Sequence, residues 1–291
     1  MGTPRGRWTL LATVLGSGVV MLDGTVVNVA LPAIGRDFGA GVDGLQWIIS
    51  GYLLTLSALI LLGGSLGDRF GRRRLFVMGV IWFAAASLLC GLASNLDLLV
   101  SARVLQGVGG AMLTPGSLAI LQASFASEDR ARAIGAWSGL GGIATAIGPF
   151  LGGWLIQAVS WRLIFLINLP LAAAVVYVAL RHVPETADPE SAREIDVLGA
   201  ALAVLGLGGT TFALIEAPAL GFGSPLVLLA GVLGVIGLVA FGRVEAHSRQ
   251  PMLPLTLFKS RAFTGANLVT FAVYGALSGV IFLLVVQLQQ V

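Results

Sequence analysis

The chain has 291 residues, 57% hydrophobic and 11% charged, with 40 glycines and a mean hydropathy of +0.94; a soluble domain carries about 25% charged residues, so a water-facing globule is excluded and a polytopic membrane protein is implied. Seventeen Lys and Arg against 14 Asp and Glu leave a net charge of +3, too small for a nucleic-acid-binding face. A single cysteine, Cys90, excludes an internal disulfide framework and a multi-cysteine metal site, and His182 and His247 are too few for a histidine metal cluster.

A bilayer core of about 30 Å needs about 20 apolar residues per helix. Nine stretches meet that requirement, at residues 9–32, 47–67, 75–95, 98–122, 133–158, 163–181, 197–216, 225–242 and 263–288. The first is too long for the apolar centre of a cleaved signal peptide and holds Asp23 at its middle, so it stays as a helix. Cytoplasmic loops are enriched in Lys and Arg, and every span must reverse the side. With the N-terminus inside, 14 of the 17 basic residues fall inside, among them Arg69, Arg72, Arg73 and Arg74 after the second span; only Arg36 and Arg162 fall outside, and Arg103 lies within a span. The fold predicted is an all-α polytopic membrane protein. Residues 1–182 read as a six-helix unit, 183–196 as an acidic, proline-containing cytoplasmic linker, 197–242 as two inserted helices, and 243–291 as a loop and a further helix. Spans one to three and four to six resemble each other weakly, each triplet carrying a polar element in its first helix, as in the inverted repeats of many transporters.

In the first span Asp23 is followed by Asn28. A charged, unpaired carboxyl at that depth costs several kcal/mol, so it needs a partner, water or a proton. Desolvation favours the neutral carboxyl, and an Asp facing a cavity there can take up and release protons; a structural ion pair with an Arg is the alternative. Between the second and third spans, Gly64 to Leu75 allows a tight reversal through its glycines. Asp68 there can meet a helix N-terminus, and Arg69, Arg72, Arg73 and Arg74 can hold the loop at an anionic leaflet. In the fourth span Arg103 lies about 8 Å below the predicted outer end, while Asp23 lies about 14 Å below the end of its own span. An Arg side chain covers that difference, so Arg103, Gln106, Asp23 and Asn28 are expected to share one cavity; the alternative is that Arg103 snorkels to the interface. The fifth span carries Gly135, Gly139, Gly142 and Ala146, then Gly148-Pro149 and Gly152-Gly153. Small residues at that spacing permit close helix approach, and Pro149 removes a hydrogen bond and bends the helix, as a hinge requires. Cys90, His182, His247 and the tryptophans read as loop, packing or interfacial residues.

These residues resemble a family. Asp23, Thr25, Asn28 and Ala30-Leu31-Pro32, the loop with Gly64, Asp68, Arg69, Gly71, Arg72 and Arg73, Arg103 with Gln106, Gly107 and Gly109, and Gly148-Pro149 with Gly152-Gly153 are similar to the ordered motifs of the major facilitator superfamily, and within it to the 14-helix drug:proton antiporters. Trp161 to Pro170, Asp196 and Pro251 to Phe258 are similar to that subgroup too. Ala144 and Gly67 depart from its usual glycine and alanine. The resemblance implies secondary transport of lipophilic or cationic small molecules in exchange for protons, in the plasma membrane. By the same resemblance Asp23 is the proton-coupling acid and Arg103 its basic assistant. Asp68 and Arg72 belong to a cytoplasmic latch, and Gly148-Pro149 to the antiporter motif between the two halves.

A 14-helix member needs five more spans, so this chain is expected to be a fragment, or to require self-association or a second chain. A non-transporting remnant or partner subunit is therefore a competing reading, as is a major-facilitator-type transporter of another small-molecule substrate. An enzyme is disfavoured by the lack of a zinc-binding His-Glu-x-x-His or a nucleophile with a base. ATP is disfavoured by the lack of a Gly-x-x-x-x-Gly-Lys loop, and no cofactor or metal is expected.

Overall fold

The structure is a computed structural model that describes residues 3–187, 196–248, 251 and 253–290; most of the predicted linker, with Arg193, and Arg249 and Met252 lie outside the described residues. Ten α-helices follow in order: α1 (Pro4–Phe38), α2 (Val42–Phe70), α3 (Arg72–Leu92), α4 (Leu96–Ser124), α5 (Ser127–Ala158), α6 (Leu163–Leu166), α7 (Asn168–His182), α8 (Val197–Leu220), α9 (Pro225–His247) and α10 (Arg261–Gln290). No strand occurs among the described residues. Eight stretches are long and apolar enough to cross a membrane, α6 and α7 together forming the sixth, and α10 occupies the ninth predicted span.

The helices outrun the predicted spans because hydropathy marks only the part that crosses lipid, whereas hydrogen bonding continues to a cap. In α1 the Thr3 hydroxyl accepts from the Gly6 amide at 3.2 Å, and the helix passes through Pro32 to Gly39, whose left-handed conformation (φ 63°) closes it. Between α2 and α3 the reversal takes one residue, Gly71, at φ 110°, a conformation that L side chains rarely adopt.

Packing follows a pairing scheme. Helix α1 lies against α5 and α7, α4 lies against α2 and α3, and α3 also meets α7. With α6 and α7 counted as one span, exchanging the first three spans with the second three maps α1–α5 onto α4–α2 and α1–α7 onto α4–α3. The weak triplet resemblance in the sequence thus corresponds to a symmetric set of helix contacts. Close approach is made possible by glycine: a Cβ on Gly107 would sit 2.6 Å from the Tyr52 carbonyl oxygen of α2, and one on Gly109 2.6 Å from the Phe83 nitrogen of α3. Helices α8 and α9 form a hairpin in which Gly206, Gly209, Gly234 and Gly237 bring the two backbones together, and α8 leans on α2. The Trp47 indole of α2 donates to Glu216 Oε1 of α8 at 2.6 Å. Two large apolar clusters, with a small third of Leu121, Phe125 and Ala133, make up the core of the six-span bundle. One gathers Val26, Val27, Ile48, Leu99 and Phe165, and the other Val19, Phe76, Phe83, Leu113 and Val175.

Candidate functional site

Between those clusters lies a buried polar layer. Asp23 on α1, Ser87 on α3, Arg103 and Gln106 on α4, and Asn168 at the start of α7 are each at most 1% exposed. Asp23 Oδ2 accepts from Arg103 Nη1 at 2.6 Å. Its Oδ1 accepts from Gln106 Nε2 at 2.9 Å and from Asn168 Nδ2 at 3.1 Å. Arg103 also donates to the Ile48 carbonyl, 3.1 Å from Nε, and to Gln106 Oε1, 2.6 Å from Nη1. The Ser87 hydroxyl accepts from both amides, at 2.7 Å from Gln106 and 3.1 Å from Asn168. The guanidinium lies 4.2 Å from the Tyr52 ring centroid and 5.8 Å from that of Phe165.

Removing two charges from water costs several kcal/mol per ion, and only good geometry with further hydrogen bonds offsets it. Both conditions are met, since three donors surround the carboxylate and two aromatic faces flank the cation. The arrangement is shut to solvent in this conformation and ties α1 to α4, the equivalent helices of the two triplets.

Of the predicted cleft residues, Asp23, Arg103 and Gln106 come together, and the snorkelling alternative for Arg103 is excluded by its burial. Asn28 does not join them, because its amide turns back to donate to the Gly24 carbonyl at 2.7 Å. The network also holds residues that the sequence reading did not single out for chemistry. Asn168 was visible only as part of a motif, and Ser87 as a polar residue in an apolar span. Cys90, read as packing, also touches the network, with Sγ 3.6 Å from Gln106 Oε1. Asn168 Oδ1 is buried and makes no hydrogen bond.

At the opposite end of α2, Asp68 pairs with Arg72 one turn on, with Arg72 Nε and Nη2 both 2.7 Å from Oδ1. The helix N-terminus expected to attract Asp68 is taken by another acid. Glu185, which follows α7, accepts from the Arg73 amide at 3.0 Å and the Arg74 amide at 3.2 Å, and so caps α3. The Arg72 amide donates to the Thr186 carbonyl at 2.8 Å, and Arg73 Nη1 to the Val183 carbonyl at 3.0 Å. Gly71 is required twice, for its φ and because a Cβ there would lie 2.7 Å from Glu185 Oε1. Of the other latch residues, the Arg69 guanidinium lies over Phe70 at 5.2 Å, and Gly64 faces Pro115 of α4.

The glycines of α5 divide between two faces. Gly148 meets Thr25 and the Leu22 carbonyl, and Gly152 meets Val26, so this face locks onto α1 beside Asp23. Gly135, Gly139, Gly142 and Gly153 have open space where a Cβ would be, and Phe150 is 81% exposed. The close approach expected of Gly135, Gly139 and Gly142 is therefore absent among the described residues. Pro149 sits in an uninterrupted helix.

The family model described as Major Facilitator Superfamily matches residues 13–290. The chain belongs to the major facilitator superfamily. It is 37% identical over 98% of its length to the methylenomycin A resistance protein of Bacillus subtilis, and 40% identical over 92% of its length to the multidrug resistance protein Stp of Mycobacterium tuberculosis. It covers 61% and 51% of those proteins, so it spans a little over half the length of the curated relatives it matches. Among solved structures, a mutant of the peptide transporter POT in complex with sulfate aligns with a TM-score of 0.63 at 17% identity, covering 86% of this chain and 54% of that one. That likeness bears on the fold alone. The superfamily is one of membrane transporters and not of enzymes, and the ordered motifs of the sequence thus sit in the fold they implied.

Proposed function

We propose that the chain is part of a proton-coupled exporter of lipophilic or cationic compounds in the plasma membrane, with its N-terminus in the cytoplasm. The observation that carries this reading is the buried Asp23–Arg103 pair with Gln106 and Asn168. Proton uptake by Asp23 weakens the α1–α4 link, and a cationic substrate competing with Arg103 for the carboxylate does the same, so the two ligands exclude each other at one acid. That mutual exclusion is the essence of antiport. The resistance and multidrug names of the relatives support the export direction, and the bias of 14 basic residues toward one side supports the orientation.

In this reading residues 1–182 form one half of the transporter and 183–196 the linker. Residues 197–242 are the inserted pair, and 243–291 begin the second half. Gly148, Pro149, Gly152 and Gly153 carry the hinge, with the open side of α5 facing the other half. Asp68, Arg69, Arg72 and Arg73 latch the cytoplasmic side, and Asn28 lines the path above Asp23. The second half comes from further chain, from self-association or from another polypeptide.

Everted vesicles carrying the chain, energised to acidify their lumen, test this. Adding a panel of lipophilic cations should collapse the pH gradient, and Asp23→Asn should abolish the collapse. Equal collapse with well-inserted Asp23→Asn protein would refute Asp23 as the coupling acid. No collapse with either protein would mean that the chain does not transport without a partner, the outcome expected of a non-transporting subunit.

A further inference from the structure

Away from the buried layer, at the end of the bundle where α1 begins and α7 ends, a cavity of 710 Å³ is lined by Pro4, Arg5, Trp8, Arg73, Arg181, His182, Val183, Pro184 and Glu185. Three guanidinium groups face one carboxylate there, and that carboxylate is committed to the N-terminus of α3. Neither Arg5 nor Arg181 has an acidic partner among the described residues. His182 Nδ1 is buried without a hydrogen-bond partner, whereas Arg73 Nε, which makes no hydrogen bond, already lies 3.6 Å from Glu185 Oε2. A buried polar nitrogen left unpaired costs free energy, and Arg5 and Arg181 beside His182 in its Nδ1–H form are completed by an oxyanion. His182 is held in place by stacking on Trp8, with ring centroids 4.6 Å apart and planes within 19°.

The surroundings identify the source of the oxyanion. One turn deeper from Trp8 and Arg181, the same helix sides present Leu11 (39% exposed) and Tyr177 (66%), with Leu180 (57%) exposed next to Arg181. A cationic cup opening onto an apolar stripe matches an acidic headgroup above acyl chains, whereas a free phosphate would have no use for the stripe. We infer that this cavity binds the phosphate of an anionic phospholipid, which pins the start of α1 to the α7–α3 junction. The site is separate from the Asp23 network, and its occupancy does not depend on the transport reading.

Native mass spectrometry of the full chain released from neutral detergent tests the inference. Phosphatidylglycerol, phosphatidylcholine and inorganic phosphate would be titrated against wild type and against Arg5→Gln/Arg181→Gln. Both arginines are exposed and have no acidic partner among the described residues, so the double variant should fold, and its melting curve should match wild type. An Arg7→Gln/Arg132→Gln variant removes two exposed cations that do not line the cavity. The expected result is retained phosphatidylglycerol on wild type and on that control, about thirtyfold weaker retention on the cavity variant, and little retained phosphatidylcholine or inorganic phosphate. Equal retention on the cavity variant, equal loss on the control, or retention of phosphatidylcholine as strong as that of phosphatidylglycerol would overturn the inference. Inorganic phosphate binding as tightly as the lipid would replace it with a soluble-anion site.

Discussion

Replacing Arg103 with Gln leaves the Asp23 carboxylate, fully buried, with only Gln106 Nε2 and Asn168 Nδ2 as donors. Removing one partner of a buried ion pair costs about 3–5 kcal/mol because the other charge stays behind uncompensated, which is about two to three and a half powers of ten in the folding equilibrium. Asp23→Asn leaves the guanidinium with the Ile48 carbonyl, Gln106 Oε1 and two aromatic faces, so its cost should fall at the lower end of that range. The double variant Asp23→Asn/Arg103→Gln strands no charge and should cost less than Arg103→Gln alone. Unfolding by SDS in mixed micelles, followed by tryptophan fluorescence, gives all four corners of the cycle. A coupling energy near zero, with the single costs simply adding, would refute the claim that the two charges are held for one another.

Four further outcomes follow from the geometry. Gly71→Ala should cost about 2–3 kcal/mol, from the strained φ and the displaced Glu185 cap, and hydrogen exchange should quicken at the Arg73 and Arg74 amides; unchanged exchange would sink the capping account. Gly107→Ala should destabilise by about 1–3 kcal/mol through its clash with the Tyr52 carbonyl, whereas Gly139→Ala, facing open space, should be neutral or stabilise by up to about 1 kcal/mol in this chain. The same SDS titration separates the two, and similar costs would contradict the packing described. Trp47→Phe removes the donor to Glu216 and should cost about 1.5–3 kcal/mol, while Glu216→Gln, which can still accept from the indole, should cost less; equal losses would point to lost packing in place of a lost hydrogen bond. Asn28→Ala should leave the stability of the Asp23–Arg103 link unchanged in a repeat of the double-variant cycle, since its amide is spent on Gly24.

The sequence was most legible where the bilayer imposes a rule on each helix separately. Span length and basic-loop asymmetry gave the helix order, and two charges inside apolar stretches, Asp23 and Arg103, could be paired by depth alone. The depth estimate survived although both helix ends moved, because an Arg reaches far enough to absorb the error. What escaped were partners set by tertiary geometry. Glu185 caps a helix that begins 113 positions earlier, and nothing in Val-Pro-Glu-Thr announces that. Asn28 and Asn168 are the same residue type within apolar stretches; the second meets Asp23 because α7 packs against α1 and α3, whereas the first, on the helix of Asp23 itself, folds back on Gly24. Glu216 was read as the edge of a span, since hydropathy falls there, yet α8 continues for another turn and carries it against Trp47.

The separation of Asp23 from Arg103 has a consequence for how the molecule is made. Arg103 follows Asp23 by 80 positions, and ribosomes add about 5–20 residues per second. For about 4–16 s, then, α1 sits in the membrane with its acid and no guanidinium to meet it, while α2 and α3 are delivered. During that interval Asp23 must be sheltered by water, by the insertion machinery or by a proton, and α4 must arrive with an arginine that helps its own helix only once α1 is beside it. The first triplet is thus an incomplete object that the second triplet finishes, and biogenesis of the bundle is ordered by the meeting of two charges born seconds apart.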